Sequence, residues 1–476
     1  MIDSLTIIDL SLLAIFVIFM FVFLKTRKHN LKKEGLLFLY KTSWGIKLIN
    51  YIGTKYKKTI GVLSYVSVFM GYVLMVGGIY LIYTIVKVYL FNPSIVRAIK
   101  VPPIIPLVPY LPQVFKLDFL PPFYFTYWIV ILAIIAITHE MAHGIFAVYE
   151  KVKVKTTGFG FFPWFFPIFL AAFVELDEKK MAKKKKFPQL AILSAGTFAN
   201  VITAIIFLFL LFGFFALVFS PSGVIFDSYS TSTIAVSGIS MINGISVNNA
   251  SYQDMIDSTN GNGLSELRVG SQTYLTTKEM LENQIDNEGL ILVYSDSPAV
   301  RANLSSIITA INGVPLDGIA KLQQELGKYQ PGDNVTITEK TNDGFSEKML
   351  TLGNNPSRPG TAWIGIGFFS RNSNSFFGKL TNEIASFKDS NVYYAPKFGG
   401  FSIFIYNLLW WIVIISISVA LINMLPVGIF DGGRFFYLTV LGLTKSEKIA
   451  RRAFAFTTYL FLFVLLLLMV FWVFSF

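Results

Sequence analysis

The stretch FYFTYWIVILAIIAITHEMAHGIFA, residues 123–147, decides how this chain is organised. Glu140 is its only acidic or basic side chain apart from two histidines. Because a helix needs about 20 apolar residues to cross the hydrocarbon core of a bilayer, we predict that this stretch spans a membrane. Five further windows qualify on the same ground: 5–24, 60–91, 188–219, 401–425 and 449–475.

The composition indicates a polytopic membrane protein with a soluble part of substantial size. Of the 476 residues, 54% are hydrophobic and only 14% are charged, whereas an ordinary soluble domain has about 25% charged residues. Such a composition excludes a disordered chain. The absence of Cys excludes a disulfide scaffold and any Cys-based metal or redox site. Three His residues are too few for the multi-histidine iron sites of membrane oxidases.

The charge distribution predicts the orientation. Residues 221–400 hold 12 Lys and Arg against 17 Asp and Glu, a net charge of −5. The rest of the chain holds 28 against 11, a net charge of +17, and the two parts sum to the total of +12. The connections 25–59, 150–186 and 426–452 hold ten, nine and five Lys and Arg, against three in 92–122. Basic residues flank spans on the cytoplasmic side, so we expect a multi-pass cell-membrane protein with 221–400 outside. Since the basic charge does not cluster on a soluble face, we expect no nucleic-acid partner.

Two connections are apolar but cannot be regular spanning helices. Residues 101–122 contain too many Pro residues for a regular helix. Residues 157–174, TTGFGFFPWFFPIFLAAF, are interrupted by Gly and Pro. We predict that 157–174 is strand-like or re-entrant near the inner surface, because lipid-exposed irregular backbone is not tolerated at depth.

Residues 139–143 read His-Glu-Met-Ala-His, the pattern H-E-x-x-H. Positions i and i+4 share one helix face, so both imidazoles can reach one metal ion while Glu140 points toward the open side of the metal. The alternative is a pair of core histidines satisfied by neighbours. Ionisable residues in a membrane helix are costly to bury, which favours the metal site.

A zinc site that performs catalysis usually takes three protein ligands and leaves one position for water. Cys is absent and the remaining His29 lies in a basic loop, so the third ligand must be a carboxylate. Asp431 follows the fifth span in the segment NMLPVGIFDGG, residues 423–433. Asp-Gly is also a common turn dipeptide, and a turn or helix cap is the alternative. The orientation places Asp431 on the same cytoplasmic side as His139 and His143.

These motifs together resemble the site-2 protease family of intramembrane metalloproteases. That family has H-E-x-x-H on one span and N-x-x-P-x-x-x-x-D-G on a later one, and both patterns occur here, at 139–143 and 423–432. Residues 194–200, SAGTFAN, resemble a third family feature, although the family often has Pro where this chain has Thr197. The resemblance covers roughly residues 123–220 and 401–445.

The resemblance implies a zinc-dependent intramembrane endopeptidase that cleaves transmembrane segments, releasing membrane-tethered regulators or clearing signal-peptide remnants. It implies zinc ligation by His139, His143 and Asp431. Glu140 would be the general base, which takes a proton from the attacking water. Asn423 matches a family residue that helps to hold the substrate or stabilise the oxyanion.

Three further residues are predicted to contact the substrate. Gly158 and Gly160 lie in a run that resembles, in its placement, the membrane-associated β-hairpin of this family, and we expect an unwound substrate to pair with that strand. An interfacial aromatic belt that only anchors the protein is equally compatible with the run. Asn200 lies on the neighbouring span, where a hydrogen bond between helices is the alternative to a role at the substrate.

The outside region resembles a PDZ domain over residues 289–352, with Ser-Pro-Ala at 297–299 and Ile-Asn-Gly at 311–313 as the most telling residues. PDZ domains bind an extended peptide or a C-terminus by strand addition. The candidate nest for a carboxylate consists of Gly289, Leu290 and Ile291; a plain strand start is the alternative.

The predicted fold is an α-helical polytopic membrane protein of about six transmembrane helices, with an extracytoplasmic α+β PDZ-like insertion between the fourth and fifth spans. The expected partners are transmembrane-helix protein substrates, a peptide or C-terminus at the PDZ domain, and the lipid bilayer. We predict six regions: an N-terminal membrane region, 1–122; the first half of the catalytic core, 123–220; a degenerate PDZ-like unit, 221–287; a PDZ domain, 288–355; a linker with an amphipathic piece at 376–388, 356–400; and the second half of the core, 401–476.

Two other functions compete with this interpretation. One is an inactive membrane scaffold that presents the external domain, although the presence of Glu140 beside both histidines argues against it. The other is a different H-E-x-x-H membrane protease whose third ligand is a Glu in E-x-x-x-D, and no later span carries that pattern.

Overall fold

A computed structural model describes residues 4–34, 37–92, 96, 102–103, 105, 107–117, 120–161, 170–247, 251–259, 263–282, 284, 289–341, 343–369 and 386–474. The chain divides into two compact units, residues 1–214 with 403–476, and residues 215–402. Within the described ranges, six helices are long and apolar enough to cross a membrane, and they coincide with the six predicted windows.

The helices are, in chain order, α1 Ser4–Thr26, α2 Ile46–Lys55, α3 Lys57–Phe91, α4 Leu111–Val114, α5 Phe125–Tyr149, α6 Glu178–Ala182, α7 Lys186–Val218, α8 Tyr252–Ser258, α9 Lys278–Glu282, α10 Pro298–Arg301, α11 Ile319–Leu326, α12 Gly400–Asn423, α13 Asp431–Thr444 and α14 Glu447–Val473.

The strands are β1 Leu31–Glu34, β2 Leu37–Thr42, β3 Val154–Phe161, β4 Leu170–Leu176, β5 Phe219–Ile225, β6 Ser228–Tyr229, β7 Thr231–Ala235, β8 Ile239–Ile242, β9 Ile245–Ser246, β10 Ser265–Val269, β11 Gln272–Thr276, β12 Leu290–Ser295, β13 Ile307–Ile311, β14 Val314–Pro315, β15 Asn334–Thr341, β16 Gly344–Thr351, β17 Gly353–Asn354, β18 Ala362–Trp363, β19 Ile366–Gly367 and β20 Val392–Pro396.

The core of the first unit is a helix bundle in which α3, α5, α7, α12 and α13 share one buried apolar cluster. Small residues let α3 approach its neighbours closely. A Cβ atom on Gly71 would lie 3.1 Å from the Ser194 side chain, and the hydroxyls of Ser67 and Ser194 are 2.7 Å apart. The second span, to which the sequence assigned no role, therefore packs directly on the helix that carries the SAGTFAN segment.

A four-stranded antiparallel sheet, ordered β1–β2–β3–β4, completes the first unit. For residues 157–174 we predicted strand-like or re-entrant structure, and β3 and β4 agree with the strand-like form at both ends of this run. Residues 162–169 lie outside the described ranges. The prediction that a substrate pairs with the strand that holds Gly158 and Gly160 is wrong, because β3 already pairs with β2 on one side and with β4 on the other. Gly158 instead allows close strand approach, since a Cβ there would collide with the Tyr40 carbonyl oxygen.

The prediction for Gly158 and Gly160 failed because the strand that pairs with β3 lies far away in the sequence. Strands β1 and β2 come from residues 31–42, in a basic connection that we interpreted only by its charge, and β2 pairs with a strand more than 100 residues later. Among the described strands of this sheet, the unpaired edges belong to β1 and β4.

The second unit contains two larger sheets, and they divide the region differently from the predicted boundary at 287/288. The first, β7–β12–β11–β10–β8–β9, takes β12 from the predicted PDZ domain. The second, β16–β15–β13–β5–β20, takes β5 from the segment that opens the predicted degenerate unit and β20 from the predicted linker. Pairing between strands that are distant in the sequence decides which sheet each of these strands joins. The resemblance of one continuous stretch to a PDZ domain could not reveal such pairing. Most of the predicted amphipathic piece at 376–388 lies outside the described residues.

The predicted carboxylate nest at 289–291 is also corrected. Leu290 and Ile291 pair with Ala235 and Ile234 of β7, and the Gly289 carbonyl accepts the Val236 N–H at 2.8 Å. The Leu292 N–H donates to the side chain of Gln284 at 2.6 Å. These residues therefore start an internal strand, which was the plain alternative.

Candidate metal centre

Three side chains converge where the helix α5 meets the start of α13. The two Nε2 atoms of His139 and His143 are 3.1 Å apart. Oδ2 of Asp431 lies 3.3 Å from Nε2 of His139 and 3.2 Å from Nε2 of His143. A tetrahedral ion with bonds of about 2.0 Å separates its ligand atoms by about 3.3 Å, so the triad has the spacing that zinc requires. It is the group in the described ranges that could hold a metal ion.

The backbone of α7 passes beside this triad at Gly196. A Cβ atom added there would lie 2.5 Å from Nε2 of His139, and closer still to Nε2 of His143. A methyl group would therefore occupy space beside the converging ligand atoms. The missing side chain at Gly196 leaves room next to the nitrogen donors, and the site fits a metal ion on this ground as well.

The remaining ring nitrogens of both histidines point to α7. Nδ1 of His143 lies 2.6 Å from the Ile192 carbonyl oxygen. Nδ1 of His139 lies 3.1 Å from the side-chain amide of Asn200, which is fully buried. The structure thus places Asn200 against a candidate ligand, in a hydrogen bond between two helices, and not at a substrate surface as predicted.

Asp431 is brought to the histidines by a tight turn before α13. Cβ atoms on Gly432 or Gly433 would lie well within 3.0 Å of the backbone of Met424 and Val427. The two glycines therefore let the first turn of α13 lie directly on the loop that follows α12. The sequence interpretation of Asp-Gly as a turn signal and that of Asp431 as a ligand are both compatible with this geometry.

Glu140 lies between the two histidines and faces an edge strand. Its Oε2 accepts the backbone N–H of Val174, in β4, at 2.9 Å. Because β4 pairs with β3 on its other side, this N–H points outward from the sheet, toward the candidate site. No motif or spacing in the sequence indicated this contact.

Glu140, His143 and Asp431 line a cavity of about 320 Å³. β4 forms one wall and the loop 428–430 another. Arg434 and Glu178 also line the cavity and form an ion pair, with Nη1 of Arg434 2.7 Å from Oε2 of Glu178. Asn423, the last residue of α12, is half-buried, and its role remains a prediction.

One carboxylate that the sequence interpretation overlooked stabilises the other end of α5. Asp9 of α1 is 3% exposed and accepts the backbone N–H groups of Phe125 and Thr126, each at 2.8 Å. These are among the orphan donors at a helix N-terminus. The hydroxyls of Thr126 and Tyr110 donate to the same carboxylate. The available signal was a lone acidic residue inside an otherwise apolar span.

Comparisons with known proteins agree with this geometry. The chain is 25% identical over 180 residues to the zinc metalloprotease RasP of Shouchella clausii (strain KSM-K16); the aligned part is 32% of this chain and spans 43% of the length of that relative. The sequence model of peptidase family M50 matches residues 127–468, which is well over half of the chain. Both similarities imply a zinc cofactor, for which His139, His143 and Asp431 form a possible site. The chain belongs to peptidase family M50, the site-2 protease family.

Proposed function

We propose that this protein is a zinc-dependent intramembrane endopeptidase that cleaves transmembrane segments of other membrane proteins. The observation that carries the proposal is the position of Glu140. It lies on a helix long enough to span the membrane, next to a triad with zinc spacing, and it faces the outward edge of a β-strand.

In this proposal His139, His143 and Asp431 hold the metal. Zinc bound there would supply Lewis acidity, which activates water and polarises a peptide carbonyl. Oε2 of Glu140 is held by the Val174 N–H, so Oε1 takes the proton from the attacking water and later returns it to the leaving amine. Asn423 would hold the substrate or donate to the carbonyl oxygen, where negative charge develops.

The outward edge of β4 is the proposed place where the substrate binds. A substrate helix hides its peptide groups in internal hydrogen bonds, so it must unwind locally before it is attacked. Side-chain and backbone directions alternate along a strand, so the N–H of Ala172 points to the same side as that of Val174. An unwound segment that pairs with these groups lies beside Glu140, and β4 replaces β3 in the predicted role.

The second unit is proposed to be PDZ-like and to lie outside the cell membrane, with the active site toward the cytoplasm. Its support is the basic charge of the connections and the mixed sheet and helix content of residues 215–402. It would recruit substrates or exclude untrimmed ones. Deletion of 221–400 separates these roles, because recruitment predicts lost cleavage and exclusion predicts cleavage of resistant, untrimmed proteins.

The test of the enzyme proposal is cleavage of a membrane-tethered reporter by the wild type and by Glu140→Ala. We expect the variant to retain zinc, because no ligand is changed, and to lose cleavage. Equal cleavage by both proteins would overturn the proposal. A purified wild type without stoichiometric zinc would instead favour the inactive scaffold.

A further inference from the structure

One face of α7 supports both candidate histidine ligands. Ile192, Gly196 and Asn200 are spaced by four residues, so they lie one above another on a single face of the helix. The Ile192 carbonyl contacts His143, the backbone at Gly196 passes beside both Nε2 atoms, and the Asn200 amide contacts His139. The three positions form one continuous support behind the metal ligands.

A histidine that presents Nε2 to a metal carries its proton on Nδ1, and that proton needs an acceptor. For His143 the acceptor is the Ile192 carbonyl oxygen, at 2.6 Å. For His139 the only neighbour described at Nδ1 is the side chain of Asn200, with Nδ2 placed at 3.1 Å. The other amide atom, Oδ1, is buried without a hydrogen-bond partner among the described residues.

The nitrogen and oxygen of an Asn amide are nearly indistinguishable in shape, and a rotation by 180° exchanges them. With Nδ2 toward Nδ1, two donors would face each other whenever Nε2 binds a metal. With Oδ1 toward Nδ1, the ring proton gains an acceptor. Metal binding by His139 therefore selects the orientation in which Oδ1 faces the ring.

We propose that Asn200 is a positioning residue of the metal site, whose Oδ1 accepts the Nδ1 proton of His139 and so holds that ring with Nε2 toward the ion. The inference rests on the zinc site of the proposed function. It assigns Asn200 to the metal and not to the substrate. The two histidines then differ in their hydrogen-bond acceptors. A backbone carbonyl accepts from His143, and mutation cannot remove it, whereas a side chain that mutation can remove accepts from His139.

A purely structural role makes a different prediction. If the hydrogen bond only joined α7 to α5, its loss would lower stability and leave zinc affinity unchanged. Thr203 offers a matched comparison, because its hydroxyl lies 3.3 Å from that of Thr138 and joins the same two helices next to His139. Among the described residues, its hydroxyl bonds to Thr138 and to the Ala199 carbonyl and not to a candidate ligand.

The experiment compares zinc affinity of the full-length wild type, Asn200→Ala, Asn200→Asp and Thr203→Val, measured by competition with a chromogenic chelator. We expect a loss of about 10- to 100-fold in Asn200→Ala, the usual effect of removing such a partner. Asn200→Asp keeps an acceptor, so its loss should be well below about tenfold, and the same holds for Thr203→Val, which removes no partner of a ligand. Wild-type affinity in Asn200→Ala would overturn the inference, and so would an equal loss in Thr203→Val.

A second measurement tests the inference if the Asn200→Ala variant does not fold. The chain has three histidines, so the ¹⁵N spectrum of histidine-labelled, zinc-loaded protein is simple, and His29→Gln identifies the third. We expect the Nδ1–H form for His139 in the wild type and in Asn200→Asp; the Nε2–H form would contradict the inference. A wild type that binds no zinc contradicts the proposed function itself, whereas zinc bound without dependence on Asn200 contradicts only this inference.

Discussion

The backbone N–H of Val174 donates to Oε2 of Glu140 at 2.9 Å, and this bond joins the edge strand β4 to the helix that carries both histidines. It orients the proposed general base and shows which side of β4 faces the site. The donor is a backbone group, so no side chain at position 174 is needed for it.

Replacing Gly196 with Ala should abolish zinc binding, because the added methyl would lie 2.5 Å or less from both Nε2 atoms. Metal analysis of the purified protein and reporter cleavage check this expectation. Gly213→Ala is the matched control on the same helix, since a Cβ there meets no atom within 4 Å. Stoichiometric zinc in Gly196→Ala would show that the ligands do not converge as described.

Replacing Ala172 with Pro should reduce cleavage by at least about tenfold, because it removes one outward N–H from the edge on which the substrate is proposed to pair. Pro is tolerated on sheet edges, so the β3–β4 pairing should survive. The measurement is the cleavage rate together with zinc content, which should not change. Ala172→Val keeps the N–H and serves as the control. If Ala172→Pro cleaved at the wild-type rate, substrate addition to β4 would be wrong.

Replacing Gly433 with Ala should lower the free energy of unfolding by about 1–3 kcal/mol, the usual cost of overpacking. The new methyl would collide with the Val427 carbonyl oxygen, and the shift of α13 should also weaken zinc binding through Asp431. Thermal unfolding in detergent and metal analysis measure the two effects. Gly442→Ala, on the same helix, has a nearest atom 3.8 Å away and should be neutral or slightly stabilising. Equal stability of the two variants would contradict the described packing.

In the second unit, Glu339 should make stability dependent on pH. Burial opposes its ionisation, but hydrogen bonds from the Ser305 N–H, Lys348 and Ser346 outweigh burial and lower the pKa of Glu339. A carboxyl whose pKa is lower in the folded state stabilises the fold fully above the unfolded pKa of about 4.3, and this contribution is lost as the pH falls through the folded pKa.

Hydrogen exchange of β15 and β16 in the full chain, followed between about pH 3 and 7, should therefore show stability falling toward acid. Glu339→Gln should flatten this dependence. Glu347→Gln, at an exposed position of β16, is the control and should behave as the wild type. An unchanged pH profile in Glu339→Gln would exclude this carboxyl as the source.

The sequence by itself determined the membrane-spanning architecture and the chemistry of the candidate site. Apolar length alone identifies a span, and the six windows coincide with the six long helices. H-E-x-x-H places two histidines on one helix face by geometry alone. The absence of Cys and of another suitable His directed attention to Asp431, which lies 3.2–3.3 Å from both rings.

Only the tertiary structure decided which groups support and face that site. The pairing of β2 with β3 leaves the strand that holds Gly158 and Gly160 without a free edge, and the contact between Asn200 and His139 depends on how α7 packs against α5. The assignment of β5, β12 and β20 to their sheets is likewise a matter of long-range pairing. Periodicity and motif spacing report on neighbours along the chain, whereas these contacts join segments whose approach is set by packing of the whole unit.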